Sequence, residues 1–179
     1  AADGFAACAS LLEDAGNQDN ALRMYLTAGG AYFQVEHFDE ALAVYENALA
    51  LADSLNDERF TPIRIHMATC LASMGKSALA AARFVEILDE WEGGEAQEKA
   101  GVQLQAADAH MDCEAYHGAL PLYAAALDAY PPQEAPERRA LILTRMGQCH
   151  ASLGDFDTAK ELFKEAEDLS DQHDNVQNQ

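Results

Sequence analysis

The sequence predicts an all-α solenoid of antiparallel helix hairpins, on three observations. The first is a spaced set of residues that returns about every forty positions: Ala41, Ala80, Ala119 and Ala159. Each is followed four residues on by a ring (Tyr45, Phe84, Tyr123, Phe163) and three further by Ala48, Ile87, Ala126 or Ala166. The alanines lie 39, 39 and 40 residues apart. A fixed period in this range marks units that bury their apolar faces only by stacking on neighbours. The second is a helical stripe ahead of each run, and the third is a polar or Gly/Pro-rich connection between units. Such an array is a surface for holding other molecules.

In the first full unit a helix from about Leu22 to Glu36 carries Tyr25, Ala28, Gly29 and Tyr32 on one stripe. Glu36-His37-Phe38-Asp39 turns the chain, with Asp39 expected as the N-cap of a second helix bearing Ala41, Tyr45 and Ala48. Gly29 and Ala41 let the two helices of the hairpin approach closely, and the rings fill the wider space. The second unit offers Met67, Ala68 and Leu71, a turn at Met74-Gly75-Lys76-Ser77, then Ala80, Phe84 and Ile87. The third offers Ala106, Ala107 and His110, then Ala119, Tyr123 and Ala126, and is expected to stop at Pro131-Pro132. The fourth offers Leu143, Met146, Gly147 and His150, a turn at Leu153-Gly154-Asp155-Phe156, then Ala159, Phe163 and Ala166. Connections fall at 54–60, 91–98 and 130–138.

This pattern resembles the tetratricopeptide repeat superfamily, whose motif sets Gly or Ala and Tyr on the first helix and Ala-x3-Phe/Tyr-x2-Ala on the second. Units one and four match best; Ala68 and Ala107 stand where the motif has Gly, and His110 and His150 where it has Tyr. The resemblance implies a right-handed superhelix and covers roughly residues 20–170. The 39–40 spacing exceeds the family's basic 34, so helices or loops are longer. The expected organisation is a helix at 1–15, repeats at 18–56, 57–96, 97–135 and 136–170, and a polar tail at 171–179 that frays. Shifting unit one back by forty aligns Ala1, Phe5 and Cys8 with Ala41, Tyr45 and Ala48. The opening segment therefore reads as a second helix without its first. It either caps the array or belongs to a longer one, and it needs unit one to be stable.

The totals narrow the function. A formal charge of −20, from 11 Lys and Arg against 31 Asp and Glu, argues against nucleic-acid and anionic-lipid binding. It favours a basic protein partner through long-range attraction, or serves solubility alone. No apolar run approaches the roughly 20 residues of a membrane span, and the opening Ala-Ala-Asp-Gly-Phe has neither the basic nor the apolar region of a secretory leader. Cys8, Cys70, Cys113 and Cys149 are far apart with no CxxC, and read as reduced core cysteines of a cytoplasmic protein.

The family geometry, projected onto this chain, lines the inner face with successive first helices. Three rows result: Leu26, Ile65, Leu104 and Thr144; Gly30, Thr69, Asp108 and Gln148; Phe33, Ala72, Met111 and Ala151. Apolar outer rows around a small or polar middle row suit an amphipathic helix or a peptide with hydrophobic anchors, with Asp108 and Asp112 selecting positive charge. The Lys, Arg and Asn of family members that clamp carboxylates are missing from these rows; Arg23 and Arg145 lie only near them. His110, Cys113, Cys149 and His150 read as packing residues, since zinc needs four converging ligands. Glu86, Asp89, Glu90, Glu92, Glu95 and Glu98 around Trp91 read as a solvated edge, with Trp91 covering a seam between repeats or anchoring a basic partner. No GxSxG, Walker loop or HExxH occurs. The expectation is a non-enzymatic scaffold, without cofactor or metal, that holds a peptide or helix of a protein partner. A secretion- or assembly-type chaperone and a module that stacks on copies of itself are the alternatives.

Overall fold

The computed structural model describes residues 2–92, 94–131 and 135–177, with side chains through Asp171. Among these it holds nine helices and no strand: α1 (Ala2–Asp14), α2 (Gln18–Gln34), α3 (Phe38–Leu55), α4 (Phe60–Ser73), α5 (Ser77–Asp89), α6 (Ala96–Asp112), α7 (Tyr116–Asp128), α8 (Pro136–Ser152) and α9 (Phe156–Gln177). The chain divides into two compact units, Ala1–Arg83 and Phe84–Gln179, with the boundary inside α5. In the first, α1 packs on α2, α2 on α3 and α3 on α4; in the second, α6 packs on α7, α7 on α8 and α8 on α9. Each of these helices is buried against its neighbours in sequence, as a repeat array requires.

The core is built largely from alanine. Ala9, Ala21, Ala28, Ala41, Ala48 and Ala52 are fully buried in the first unit, around Leu22, Tyr45 and Ile63. Small residues at the crossings bring backbones together, and rings then fill what remains. A Cβ added at Gly29 of α2 would lie 2.5 Å from the Tyr45 ring of α3. At Gly147 of α8 it would lie 2.7 Å from the Phe163 ring of α9. The third repeat adds a close approach at another level of the hairpin: a Cβ at Gly118 of α7 would lie 2.9 Å from the His110 ring of α6. Ala107 and Tyr123, both buried, hold the positions of Gly29 and Tyr45.

Five tight turns share one geometry. Gly16, Glu36, Gly75, Glu114 and Gly154 have φ of 77°, 62°, 73°, 60° and 83°. The N–H of the next residue reaches back five positions each time: Asn17 to Leu12, His37 to Tyr32, Lys76 to Leu71, Ala115 to His110 and Asp155 to His150, at 2.8–3.0 Å. These are Schellman closures, which satisfy carbonyls at the end of the preceding helix. They correct one expectation: α3 is preceded by His37, which makes no side-chain cap, and Asp39 lies inside the first turn. The capping position is thus 37, 76, 115 and 155. At Asp155 the carboxylate accepts the Thr158 N–H at 3.3 Å.

The long period has a local origin. In the first repeat the extra residues extend α3 to 18 residues, against 13 in α5 and in α7. In later repeats they lie in the connections that follow α5 and α7. The stop expected at Pro131-Pro132 comes earlier, since α7 ends at Asp128 with Ala129 as its C-cap, and Pro132 lies outside the described residues. Arg139 closes that end by donating from Nη1 to the carbonyls of Leu127 and Tyr130 at 3.0 and 2.8 Å. The expected frayed tail is helical as far as Gln177, and residues 178 and 179 lie outside the described residues.

The opening helix packs on the following repeat as a second helix does. Ala9 and Leu12, which align with Leu49 and Ala52, pack into the core of the first unit, whereas Phe5 and Cys8 are exposed. Ala1 lies outside the described residues. The core role expected of all four cysteines therefore fails at Cys8; Cys70 and Cys149 are buried and Cys113 half-buried. Burial pushes the Cys70 thiol up to about 11.

The connection before α4 is held by Arg59. Its Nε and Nη2 grip both Asp57 oxygens at 2.7 and 2.6 Å, and Nη2 also reaches Asp19 of α2 at 2.7 Å. The Arg59 hydrogen bond lowers the Asp57 carboxyl to about 2.

Four measurements check this account. Gly29→Val should destabilise the protein by about 1–3 kcal/mol through overpacking. Gly30→Ala, whose Cβ meets nothing within 4 Å, should be neutral or stabilising by up to about 1 kcal/mol in chemical denaturation. Glu114→Gly should gain about 1 kcal/mol by relieving a left-handed non-glycine residue. Because the Asp57 carboxyl is lowered on folding, its pairing with Arg59 stabilises above the unfolded value of about 4 and is lost as pH falls through about 2. The stability difference between wild type and Arg59→Gln should therefore shrink between pH 5 and pH 2.

Candidate functional site

The candidate surface is the face of the first helices that carries these rows, on α2 and α4 in one unit and on α6 and α8 in the other. On α2, Leu26 and Phe33 are half-buried and pack on the core beneath, with the Phe33 ring edge-on to Phe38 at 5.3 Å. Gly30 lies between them in sequence and leaves an open shelf. On α4, Ile65 is half-buried, and Thr69 donates its hydroxyl to the Ile65 carbonyl at 2.8 Å. The apolar groups expected here are therefore anchored by their inner halves and exposed by their outer halves.

In the second unit the structure brings together more than the sequence suggested. Leu104 and Met111 of α6 pack on the core with their outer parts open. Asp108, between them, accepts a short hydrogen bond from the Tyr123 hydroxyl of α7. Arg145 of α8 brings Nε to 3.9 Å from the same carboxylate. The Tyr123 hydroxyl also faces the Met111 sulfur at 3.9 Å. Burial first, and the Asp108 carboxylate second, hold the Tyr123 phenol well above its ordinary range. The phenol stays protonated and keeps donating, so Asp108 is fixed in place while about half its side chain remains exposed. Thr144 donates to the Ala140 carbonyl at 2.8 Å, and Asp112 and Gln148 are exposed.

Arg145 and Tyr123 are the site residues that sequence reasoning did not place there. Arg145 follows Thr144 directly, so its position one residue off the row was the available signal. Tyr123 was assigned to packing, and its ring does pack; only the hydroxyl reaches the surface group.

The residues considered for a metal have other contacts. The His110 ring packs on Gly118, the Cys113 thiol donates to the His110 carbonyl at 3.4 Å, and His150 Nδ1 lies 3.1 Å from Asp155. Cys149 is buried, which raises its thiol pKa. Among the described residues no three His, Cys, Asp or Glu side chains converge as metal ligands. The carboxylates around Trp91 are all exposed, and Glu98 accepts the Glu95 N–H at 3.4 Å at the start of α6. Trp91 is half-buried and close to Gly94, where an added Cβ would lie 3.4 Å from the indole nitrogen. No helix among the described residues is long and apolar enough to cross a membrane.

An array of helix hairpins joined by Schellman turns, with small residues set against rings, defines a class of helical repeat proteins. Two stretches, residues 22–54 and 140–173, match the family described as Tetratricopeptide repeat. They are the repeats that keep glycine on the first helix and a ring on the second. BtubC from P. vanneervenii is similar in structure, with a TM-score of 0.76 and 17% identity over 88% of this chain and 66% of that one. MamA from Desulfovibrio magneticus RS-1 has a TM-score of 0.69 and 16% identity over 97% of each chain. YrrB, described as a TPR protein with an unusual peptide-binding site, has a TM-score of 0.64 and 19% identity over 97% of this chain and 88% of that one. No curated protein matches by sequence. The chain thus carries tetratricopeptide repeats at these two sites and shares the helical-repeat fold of these structures.

Proposed function

We propose that this chain is a protein–protein interaction scaffold that holds a peptide or amphipathic helix of its partner on the first-helix surfaces. The observation that carries this reading is the strip Leu104–Asp108–Met111, whose central carboxylate is immobilised by Tyr123. Half-exposed apolar groups on a rigid floor offer anchor positions without the entropy cost of ordering them on binding. Leu26, Gly30, Phe33, Ile65 and Thr69 form the corresponding set in the first unit. The peptide-binding site by which YrrB is described supports the same use of the fold.

Charge sets the partner's character. Asp112 is exposed, and a formal charge of −20 steers basic segments toward the surface. Arg145 moderates this at Asp108, so an incoming Lys or Arg competes with a pair that already exists. Selectivity for basic groups is then strongest at Asp112.

The reading is tested by fluorescence anisotropy on amphipathic peptides that differ only in carrying basic or acidic residues. Basic peptides should bind, and binding should weaken as salt rises. Gly30→Arg fills the open shelf and Asp112→Lys reverses an exposed charge, so both variants should melt like wild type. Each should lose about 2 kcal/mol of binding, roughly thirtyfold. Equal binding of both peptide sets, or unchanged affinity in both variants, would overturn the assignment.

A further inference from the structure

Beyond the first-helix surfaces, two apolar faces stand open, and their chemistry is complementary. One is the flank of α9. At the positions where α3 has Leu42, Leu49 and Ala52 in its core, and α7 has Leu120, Leu127 and Tyr130, α9 has the exposed Lys160, Glu167 and Ser170. Phe156 and Phe163 remain apolar there, 70% and 39% exposed. With Ala151 and Ala159 they floor a hollow of about 460 Å³ whose rim carries Lys160, Lys164 and Glu167. These are two of the chain's four lysines. Two cations against one carboxylate leave the lining of this hollow net positive in an otherwise acidic chain.

The other face is the outer side of α1. Phe5, Cys8 and Leu11 align with Tyr45, Ala48 and Leu51, which are buried in α3, yet all three are exposed, Leu11 at 70%. Gly4 and Ala7 beside them are also exposed, so the helix can be approached closely. No Lys, Arg or His occurs between Ala2 and Asp14, and Asp14, one turn beyond Leu11, is exposed. An apolar anchor followed by a carboxylate is what a hollow of phenyl rings rimmed by two lysines accepts.

We infer that the α9 hollow of one copy receives the outer face of α1 from a second copy, with Leu11 against Phe156 and Phe163, and Asp14 toward Lys160 and Lys164. Both halves of the contact are on one chain and they differ, so the contact is heterologous and leaves one free hollow and one free α1 face on every dimer. The net charge of each copy opposes the encounter at long range, so association is expected at or above about 0.15 M salt, where screening acts beyond about 8 Å.

Sedimentation of wild type over a concentration series at 0.15 and 0.5 M salt tests this. The mean mass should rise with concentration. Leu11→Asp and Phe156→Asp change residues that are mostly solvent-exposed, so each should keep the wild-type melting curve and remain a monomer. Mixed in equal amounts, they should form a complex of two chains and no more, because one intact hollow and one intact α1 face survive in the mixture. A Lys160→Glu, Lys164→Glu variant should associate at least about tenfold more weakly than wild type. A constant wild-type mass, association that persists in Leu11→Asp, or a mixture that stays monomeric would each overturn the inference. The hollow shares Ala151 with one first-helix row, so anisotropy on Leu11→Asp, which leaves that row intact, reads peptide binding separately.

Discussion

The structure depends on how closely two helices can approach. Alanine and glycine at the crossings remove side-chain bulk, and one ring per described crossing then fills the remaining gap. Tyr45 over Gly29 and Phe163 over Gly147 are the same pair in two repeats, and His110 over Gly118 is a further close approach at another level of its hairpin. A core made this way gains little from any single large side chain. Its stability comes from many short contacts between backbones, which are lost together if one crossing is forced apart.

That closeness explains which parts of the fold could be read from the amino acids. Ala41, Ala80, Ala119 and Ala159 announce the period because the tight crossing tolerates little else. The turns at Gly16, Gly75 and Gly154 show themselves through glycine. Glu36 and Glu114 take the same left-handed conformation without it, and nothing in the local composition around Glu114 marks that turn. Asp39 was mistaken for a cap because it is a good capping residue near the right place. The Schellman closure moves the start of α3 ahead of it and leaves His37 at the junction. The exposure of Phe5 and Cys8 follows from the repeat logic itself: a second helix has one face for its own first helix and another for the next. Only the latter is engaged in α1.

The candidate surface was legible as rows, since residues at fixed offsets on successive first helices follow from the period. Its polar centre was not. The grouping of Asp108, Tyr123 and Arg145 draws on α6, α7 and α8, and which atoms meet there depends on side-chain reach across two crossings. A carboxylate held by a buried phenol differs from one on a free surface: it is oriented before any partner arrives. The arginine beside it makes binding there an exchange of partners, and that favours discrimination over raw affinity.

The packing of helices on their sequence neighbours within each unit reaches beyond recognition. Contacts between residues close in the chain cost little loop entropy, so hairpins can assemble quickly and in almost any order. The same locality lets a terminal helix such as α1 peel away while the helices beyond α2 keep their contacts. Disorder introduced at one end then stays near that end.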